Sequence, residues 1–241
     1  MQAIVLAGGQ GKRLLPLTAE IPKVMVKVAG QPLLLHHLHW LESQDVTNVV
    51  LACGYKASTI VDCLTTNSRA QLDMQFSFEA SPLGRGGAIK RAASLLRRPD
   101  EPAILSQGDI ITDILIKEAV ESHLSSNIVL TMILVPYRSR YGVAEVGSDG
   151  FVRTFREKPR LPYWANTGIF IASPGFYQHL PDVGDEDETL CRLSESHQVR
   201  AFCTPCYWRS VDTLKDIAEA ESDITLPSLP HENIFNPAPS Q

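Results

Sequence analysis

The stretch LAGGQGKRL, residues 6–14, decides how the beginning of this chain folds. An apolar run from Ala3 to Leu6 predicts a strand, and three glycines and then two cations follow it. Because glycine has no Cβ, its backbone can approach a ligand closely and adopt dihedral angles that other residues avoid. At the carboxyl end of a parallel strand, such a loop is suited to binding phosphate groups. The stretch therefore predicts a phosphate-binding loop, with a tight strand-to-helix turn as the alternative.

Two common glycine-rich loops are excluded by single positions. A Walker A loop requires glycine at position 6 and Ser or Thr after the lysine, where this chain has Leu6 and Arg13. A dinucleotide-binding fingerprint starting at Gly9 requires glycine at position 14, which is Leu14 here. A P-loop NTPase and a plain dinucleotide-binding module are therefore disfavoured.

Apolar runs alternate with helical patterns along the first 135 residues. The strand predicted at Asn48 to Ala52 is apolar almost throughout, as expected of a strand that is buried on both faces. The pattern predicts an α/β fold with a Rossmann-like, doubly wound, mostly parallel sheet and helices on both faces. The other strands are predicted at Ala3 to Leu6, Met74 to Phe78, Ala103 to Ser106 and Ile128 to Val135, and the helices at Pro32 to Glu42, Ala57 to Leu64, Gly86 to Leu96 and Ile114 to His123.

The pattern changes after Val135. A turn signal at residues 148–150 separates Tyr141 to Val146 from Phe151 to Phe155, which predicts a small antiparallel subregion. Further strands are predicted at Asn166 to Ala172 and Val199 to Phe202, and a closing helix at Asp212 to Ser222. Residues 226–241 carry four prolines and little periodicity, so we expect a proline-rich tail there.

The composition argues against several classes of protein. The net charge of −5 disfavours a general nucleic-acid binder, and no apolar run approaches the roughly 20 residues that span a bilayer. The first residues enter an apolar strand without the basic leader of a secretion signal. Five cysteines at irregular spacing indicate no disulfide framework, and Cys203 and Cys206 lack the second pair of a zinc site. We expect a soluble, cytoplasmic protein with no membrane and no nucleic-acid partner.

The glycine-rich loop continues as PLT at residues 16–18 and PK at residues 22–23. The whole run resembles the opening signature LAGG-x-G-x-R-L-x-P-L-T, then P-K, of the sugar-1-phosphate nucleotidyltransferase family. The resemblance continues with gaps to about Ser222 and implies a nucleotidyltransferase domain at residues 1–225, followed by the tail. It implies an enzyme that transfers a nucleoside monophosphate from a nucleoside triphosphate to a sugar 1-phosphate and releases pyrophosphate. It also implies Mg²⁺ as cofactor, and it leaves assembly into a homo-oligomer open.

A carboxylate follows the strand predicted at Ala103 to Ser106. Asp109 stands where parallel strands end, which suits a ligand of Mg²⁺ on a triphosphate; the alternative is a solvated turn aspartate. In the family, the aspartate that matches Asp109 is a metal ligand. The resemblance further implies catalytic roles for Arg13, Lys23 and Asp109. It places the nucleotide against Leu6, Ala7, Gly8, Gly9, Gly11, Arg13, Glu79, Pro82, Gly84, Gly87 and Gly108.

The resemblance also implies a sugar-phosphate site. The segments EKP at 157–159 and NTG at 166–168 match those that border the sugar in the family. The matching residues are Lys23, Gly142, Glu157, Lys158, Asn166 and Thr167. Because the attacking phosphate is already ionised, no nucleophilic side chain is required, and the histidines at 36, 37 and 39 are predicted to lie on a helix face.

The C-terminal motif departs from most of the family. Many relatives carry W-x-D, and Ser210 stands at the aspartate position after Trp208. The glucose-1-phosphate cytidylyltransferase branch reads W-x-x-M-D-T-L-R-D, and by that alignment Asp212 is the second metal ligand. The alternative is that Asp212 is the N-cap of the closing helix.

Two segments of the sequence give conflicting indications of which base and which sugar the chain uses. The segment at 79–88, EASPLGRGGA, resembles E-x-x-P-L-G-T-x-G-A of guanylyltransferases for mannose or heptose 1-phosphate, which favours GTP and a sugar of that type. The Asp212 segment instead resembles the branch that uses CTP and glucose 1-phosphate, and UTP or dTTP stays an alternative. A catalytically silent relative that binds nucleotide sugars for regulation also stays open, since Ser210 replaces the usual aspartate.

Overall fold

The computed structural model describes residues 1–67 and 72–225, so the predicted tail at 226–241 lies outside the described residues. The helices are α1 (Leu33–Ser43), α2 (Ala57–Asn67), α3 (Gly84–Ala93), α4 (Lys117–Leu124), α5 (Asp187–Glu195) and α6 (Leu214–Thr225). The strands are β1 (Gln2–Leu6), β2 (Lys27–Val28), β3 (Gln31–Pro32), β4 (Asn48–Cys53), β5 (Asp73–Phe78), β6 (Ala103–Gln107), β7 (Ile110–Thr112), β8 (Leu130–Arg138), β9 (Val143–Val146), β10 (Val152–Arg156), β11 (Arg160–Ala172), β12 (Val199–Cys203) and β13 (Trp208–Ser210).

Seven strands form the central sheet, in the order β12-β8-β11-β6-β1-β4-β5. The four strands from β6 to β5 are mutually parallel, and β12 is parallel to β8. Within this sheet, β11 runs against its neighbours, β6 and β8. The predicted mostly parallel sheet is confirmed, and the carboxyl ends of β6, β1, β4 and β5 meet at one edge.

Helices cover both faces of this sheet, because alternate residues of each strand enter two different cores. On β1, Ala3 and Val5 pack into the core that contains Leu38 of α1, while Ile4 packs into the core that contains Ile89 of α3. All three β1 side chains are fully buried. Burial on both sides explains the unbroken apolar runs in the sequence. Among the described residues, no helix is long and apolar enough to cross a membrane.

Small antiparallel pairs complete the fold. Strands β9 and β10 form the predicted hairpin, and β2 pairs with β3. Strand β13 pairs with β7, with Ser210 opposite Ile110. This three-residue ladder brings the C-terminal segment to the end of β6. The predicted closing helix begins at Leu214 instead of Asp212, which leaves Asp212 in the connection between β13 and α6.

The histidine cluster lies on α1, as predicted, and His37 is on its buried face. Its Nδ1 donates to the Ile110 carbonyl at 3.1 Å, and its Nε2 is paired with the Ser106 hydroxyl at 2.8 Å. Burial lowers the pKa of His37 to about 4, although the bond to Ile110 opposes this shift. The folded protein therefore holds His37 neutral.

This lowered pKa predicts a loss of stability in acid. The folded pKa lies below the unfolded value of about 6.5, so stability is complete above that value and is lost as the pH falls toward 4. We expect the His37 contribution to be lower by about 2 kcal/mol at pH 5 than at pH 7. Urea unfolding of the wild type and of His37→Gln at both pH values measures this change in the free energy of unfolding. Equal losses in the two proteins would show that His37 does not titrate this way.

Candidate active site

A cavity of about 560 Å³ opens where the carboxyl ends of the parallel strands meet. The loops that follow β1, β4, β5 and β6 all contribute to its lining, as expected for a ligand site in this kind of sheet. Seven residues that the sequence assigned to the nucleotide or the metal line it: Leu6, Gly8, Gly9, Glu79, Pro82, Gly84 and Asp109.

The glycine-rich loop closes on the Pro-Lys segment that follows it. The Gly9 carbonyl accepts a hydrogen bond from the Lys23 backbone N–H at 3.1 Å. Gly11 has a φ of 66°, and an added Cβ there would lie 2.9 Å from Thr18 and 3.0 Å from the Cβ of Lys23. The Thr18 hydroxyl donates to the Gly11 carbonyl at 2.8 Å. The separated parts of the motif are therefore one packed unit, which presents Lys23 beside the loop.

Two carboxylates and two cations meet at the edge of this cavity. The Lys23 ammonium donates to Oδ2 of Asp109 and, at 2.5 Å, to Oδ1 of Asp212. Arg13 donates to the same Asp212 oxygen at 2.7 Å. Burial alone would lower the pKa of Lys23, but the carboxylates outweigh burial and raise it. Burial would likewise raise the pKa of Asp212, but Lys23 and Arg13 outweigh it and lower the pKa.

Backbone contacts fix the position of Asp212, whose own N–H donates to Asp216 Oδ2 at 3.1 Å. The Val211 N–H donates to the Asp109 carbonyl at 3.1 Å, which extends the β7–β13 ladder to the two aspartates. At the start of α6, Asp216 accepts from the Thr213 N–H at 2.8 Å, and the Thr213 hydroxyl accepts from the Asp216 N–H at 3.2 Å. Thr213 is therefore the N-cap, in a reciprocal capping box. The alternative that Asp212 is the N-cap is wrong.

The charged centre fits a divalent cation. Asp109 Oδ1 is buried and has no hydrogen-bond partner, which leaves one carboxylate oxygen unsatisfied. Among residues 1–67 and 72–225, no group of three or more His, Cys, Asp or Glu could hold a metal ion. Mg²⁺ commonly takes one or two carboxylates and completes its shell with phosphates and water. Asp109 and Asp212 could hold such an ion together with a bound triphosphate.

Glu79 lines the cavity beside the glycine-rich loop, and a Cβ added to Gly8 would lie 3.4 Å from its Oε1. Its Oε2 accepts a hydrogen bond from the Leu83 N–H at 3.0 Å. Its Oε1 lies so close to Gly54 that an added Cβ there would be 2.1 Å away. Gly54, which is not among the predicted site residues although its segment 53–56 resembles the cytidylyltransferase branch, therefore leaves the space that Glu79 occupies.

Three predicted nucleotide-binding residues are buried by packing and lie outside the cavity lining. An added Cβ on Gly87 would lie 2.5 Å from the Asp182 carbonyl oxygen, so Gly87 lets α3 pack against that segment. Gly108 packs against Leu34, and the Ala7 N–H donates to the Ala52 carbonyl. These three residues support the residues that line the cavity, and their direct contact with the nucleotide stays a prediction.

Arg85 is a cavity-lining residue that sequence reasoning missed. Its guanidinium pairs with Glu186 at 2.9 Å and with Asp187 at 2.9 Å. These ion pairs connect the cavity wall at Arg85 to the start of α5. The sequence differs from the guanylyltransferase segment at this position, where Arg85 replaces threonine, and that difference could have indicated the residue.

The predicted sugar-site residues form a second group on β9 to β11. Gly142 lies against the Phe155 ring, and a Cβ added to it would be 3.0 Å from Glu157 Oε2. Lys158 is exposed, with a φ of 44°. Asn166 is exposed and accepts from the Gly168 N–H at 2.9 Å. Asn166 is the member of this group that connects to the cavity, because its bonding partner Gly168 lies against the side chain of the cavity-lining Gln107.

Thr167, a predicted sugar-phosphate residue, is buried in the sheet. Its side chain is 1% exposed, and its hydroxyl donates to the Ile133 carbonyl at 2.7 Å. Its carbonyl accepts from the Trp208 indole N–H at 2.8 Å, which links β11 to β13. The hydroxyl is therefore bonded inside the sheet, and contact of Thr167 with the sugar phosphate stays a prediction.

The fold and the site define a class of protein: an α/β protein with a glycine-rich loop, two cations and two carboxylates at one sheet edge. The model of the nucleotidyl transferase family matches residues 2–226. The chain belongs to the nucleotidyl transferase family.

Named relatives are similar over most of this chain. Mannose-1-phosphate guanyltransferase 2 of Candida glabrata is 31% identical over 227 residues, which cover 90% of this chain and 62% of that protein. The catalytic subunit beta of mannose-1-phosphate guanylyltransferase from Drosophila pseudoobscura pseudoobscura is 31% identical over 89% of this chain and 60% of its own length. This chain therefore spans less than two thirds of the length of these relatives.

Solved structures share the fold over nearly the full chain. HddC from Yersinia pseudotuberculosis, complexed with GMP-PN, is 27% identical with a TM-score of 0.73, and the match covers 93% of this chain and 99% of that one. A UDP-glucose pyrophosphorylase complexed with UDP-glucose is 16% identical with a TM-score of 0.72, over 92% of this chain and 97% of that one. At that identity the second comparison shows the fold alone.

Proposed function

We propose that this chain transfers GMP from GTP to a mannose- or heptose-type sugar 1-phosphate, giving a nucleotide sugar and pyrophosphate. The observation that carries the proposal is the meeting of Lys23, Asp109 and Asp212 beside the glycine-rich loop. A reaction between two polyanions needs such a centre, because the main barrier is their mutual repulsion and misalignment.

The proposed chemistry is an in-line attack of a sugar-phosphate oxygen on the α-phosphorus, with pyrophosphate leaving. Mg²⁺ held by Asp109 and Asp212 would supply a template and a Lewis acid for the α-phosphate. Arg13, whose side chain is 65% exposed, would bind the departing pyrophosphate with its planar fork. Lys23 would lie between the two reacting phosphates and reduce their repulsion. No covalent intermediate is needed, because the attacking oxygen already carries charge.

Glu79, in the cavity wall, would recognise guanine. A carboxylate accepts hydrogen bonds only, and guanine offers two adjacent donors, the N1–H and the exocyclic amine. Uracil and thymine offer one N–H between two carbonyls, whose oxygens would face the carboxylate unfavourably. Cytosine offers its amine beside an unprotonated ring nitrogen. The names of the guanylyltransferase relatives and the GMP-PN complex of HddC agree with guanine.

The sugar phosphate would bind on the side of β9 to β11. The exposed Lys158 ammonium would pair with the phosphate, while Glu157 and Asn166 would accept or donate hydrogen bonds to sugar hydroxyls. Gly142 lies beside Glu157, where only glycine fits because an added Cβ would collide with Phe155. CTP with glucose 1-phosphate is the alternative pair.

Glu79→Gln is expected to reduce kcat/KM for GTP by about 10- to 100-fold, as losing a paired base contact does. Turnover with UTP should fall much less or rise, because the repulsion of its carbonyls is relieved. Glutamine retains an oxygen for the Leu83 N–H, so the loop should keep its fold. Pyrophosphate release measured with four nucleotides and with mannose, heptose and glucose 1-phosphates tests both the variant and the proposed specificity.

The matched control is Glu118→Gln, which removes the same charge from an exposed position at the start of α4. It should leave every rate unchanged. A wild-type preference for CTP, or equal losses with all four nucleotides in Glu79→Gln, would contradict guanine recognition by Glu79.

A further inference from the structure

The Lys23 ammonium occupies the place between the two carboxylates that a metal ion would need. We propose that Lys23 is the counter-ion of Asp109 and Asp212 in the protein without nucleotide. A divalent cation then binds the two carboxylates only after the Lys23 ammonium has moved to the nucleotide phosphates. The proposal rests on the proposed function for the arrival of a triphosphate; the competition between Lys23 and the metal does not depend on turnover.

The geometry makes the two cations mutually exclusive. Lys23 Nζ lies 2.5 Å from Asp212 Oδ1 and also contacts Asp109 Oδ2. Mg²⁺ binds carboxylate oxygens at about 2.0–2.1 Å, so an ion on both carboxylates would sit within a few ångströms of the ammonium. The three side chains are only 10–17% exposed, and water screens their charges weakly. Two cations at these oxygens would therefore repel each other strongly.

The charges of the centre balance without a metal. Asp109 and Asp212 contribute two negative charges, and Lys23 and Arg13 contribute two positive charges in direct contact with them. Such a neutral group attracts a free divalent ion weakly. The ammonium nevertheless leaves Asp109 Oδ1 without a partner, and a cation with more coordination positions could satisfy that oxygen.

A triphosphate would change this balance. Its oxygens offer Lys23 and Arg13 new anionic partners, and the two carboxylates then become available to the metal. Only the end of the lysine needs to move, because its backbone N–H is bonded to the Gly9 carbonyl and its Cβ and Cγ pack against Gly11. Metal and nucleotide would thus each raise the affinity for the other, as reciprocal coupling requires.

The test measures Mn²⁺ binding to the protein without nucleotide, from the electron paramagnetic resonance signal of the free ion. Lys23→Met keeps the apolar stem and removes the charge, and we expect it to bind Mn²⁺ about tenfold more tightly than the wild type, or better, since charged hydrogen bonds contribute at least that much. The control Lys12→Met removes the same charge from an exposed position in the glycine-rich loop, and should change the affinity less than about twofold.

A second arm adds a non-hydrolysable GTP analogue. It should tighten Mn²⁺ binding to the wild type by a larger factor than binding to Lys23→Met. If Lys23→Met does not fold, Lys23→Gln is measured instead, with the same direction expected. Unchanged or weaker Mn²⁺ binding by the folded variant overturns the counter-ion role. The first arm requires neither nucleotide nor turnover, so its result is independent of whether the chain proves to be a guanylyltransferase, whereas the second arm requires that GTP binds.

Discussion

Asp109→Asn is expected to lower kcat by about 10³-fold or more, which corresponds to a loss of about 4 kcal/mol of transition-state stabilisation. Asp109 follows β6 at the cavity edge, and one of its oxygens is buried without a partner while the other holds Lys23. Asparagine keeps the size of the side chain but removes the charge that a divalent cation and Lys23 both need. The loss should therefore fall on the chemical step and not on the fold.

Pyrophosphate release at saturating Mg²⁺ measures this effect, with the melting temperature as the test of folding. Asp100→Asn is the matched control, because Asp100 is exposed in a turn, and it should behave as the wild type. If purified Asp109→Asn keeps more than about a tenth of wild-type kcat, Asp109 is not a metal ligand.

Asp212→Asn is expected to reduce turnover by about 10²-fold or more, because the second carboxylate of the centre loses its charge. Ser210→Ala should change turnover by less than about threefold, since the Ser210 hydroxyl makes only a 3.3 Å bond to Asp212. The Thr213–Asp216 capping box stays intact in both variants, so α6 should keep its stability. Mg²⁺-dependent turnover of the two variants separates the roles of these neighbours.

The matched control for helix capping is Asp216→Ala. It should lower the free energy of unfolding by about 1 kcal/mol through the lost cap, with a smaller effect on turnover than Asp212→Asn. Near-wild-type turnover of Asp212→Asn would show that Asp212 is not a metal ligand. It would also support the hypothesis of a catalytically silent relative.

The features that the sequence predicts correctly are those encoded by residues close together in the chain. The glycine-rich loop is encoded by adjacent residues, and the parallel strands are apolar throughout because both of their faces are buried. The hairpin β9–β10 follows from its turn signal. Asp109 comes directly after a predicted strand, and the carboxyl ends of parallel strands meet at one edge, so the sequence also predicts a carboxylate beside the loop.

Long-range packing explains what could not be predicted. Strands β7 and β13 are three residues each, too short for a periodic signal, yet their pairing brings Asp212 to Asp109. A motif also does not show which way a glycine faces. Gly87 belongs to a segment that resembles a base-binding one, but it packs against the Asp182 carbonyl, which is distant in the sequence.

GTP labelled on the α- or the γ-phosphate, incubated with mannose 1-phosphate and Mg²⁺, tests nucleotidyl transfer most directly. We expect the α-label to enter a nucleotide sugar and the γ-label to enter pyrophosphate, in equal amounts and only when the sugar phosphate is present. Asp109→Asn should abolish both products. Release of the γ-label as inorganic phosphate, or binding of GTP with no product from any sugar phosphate or nucleotide supplied, would contradict it.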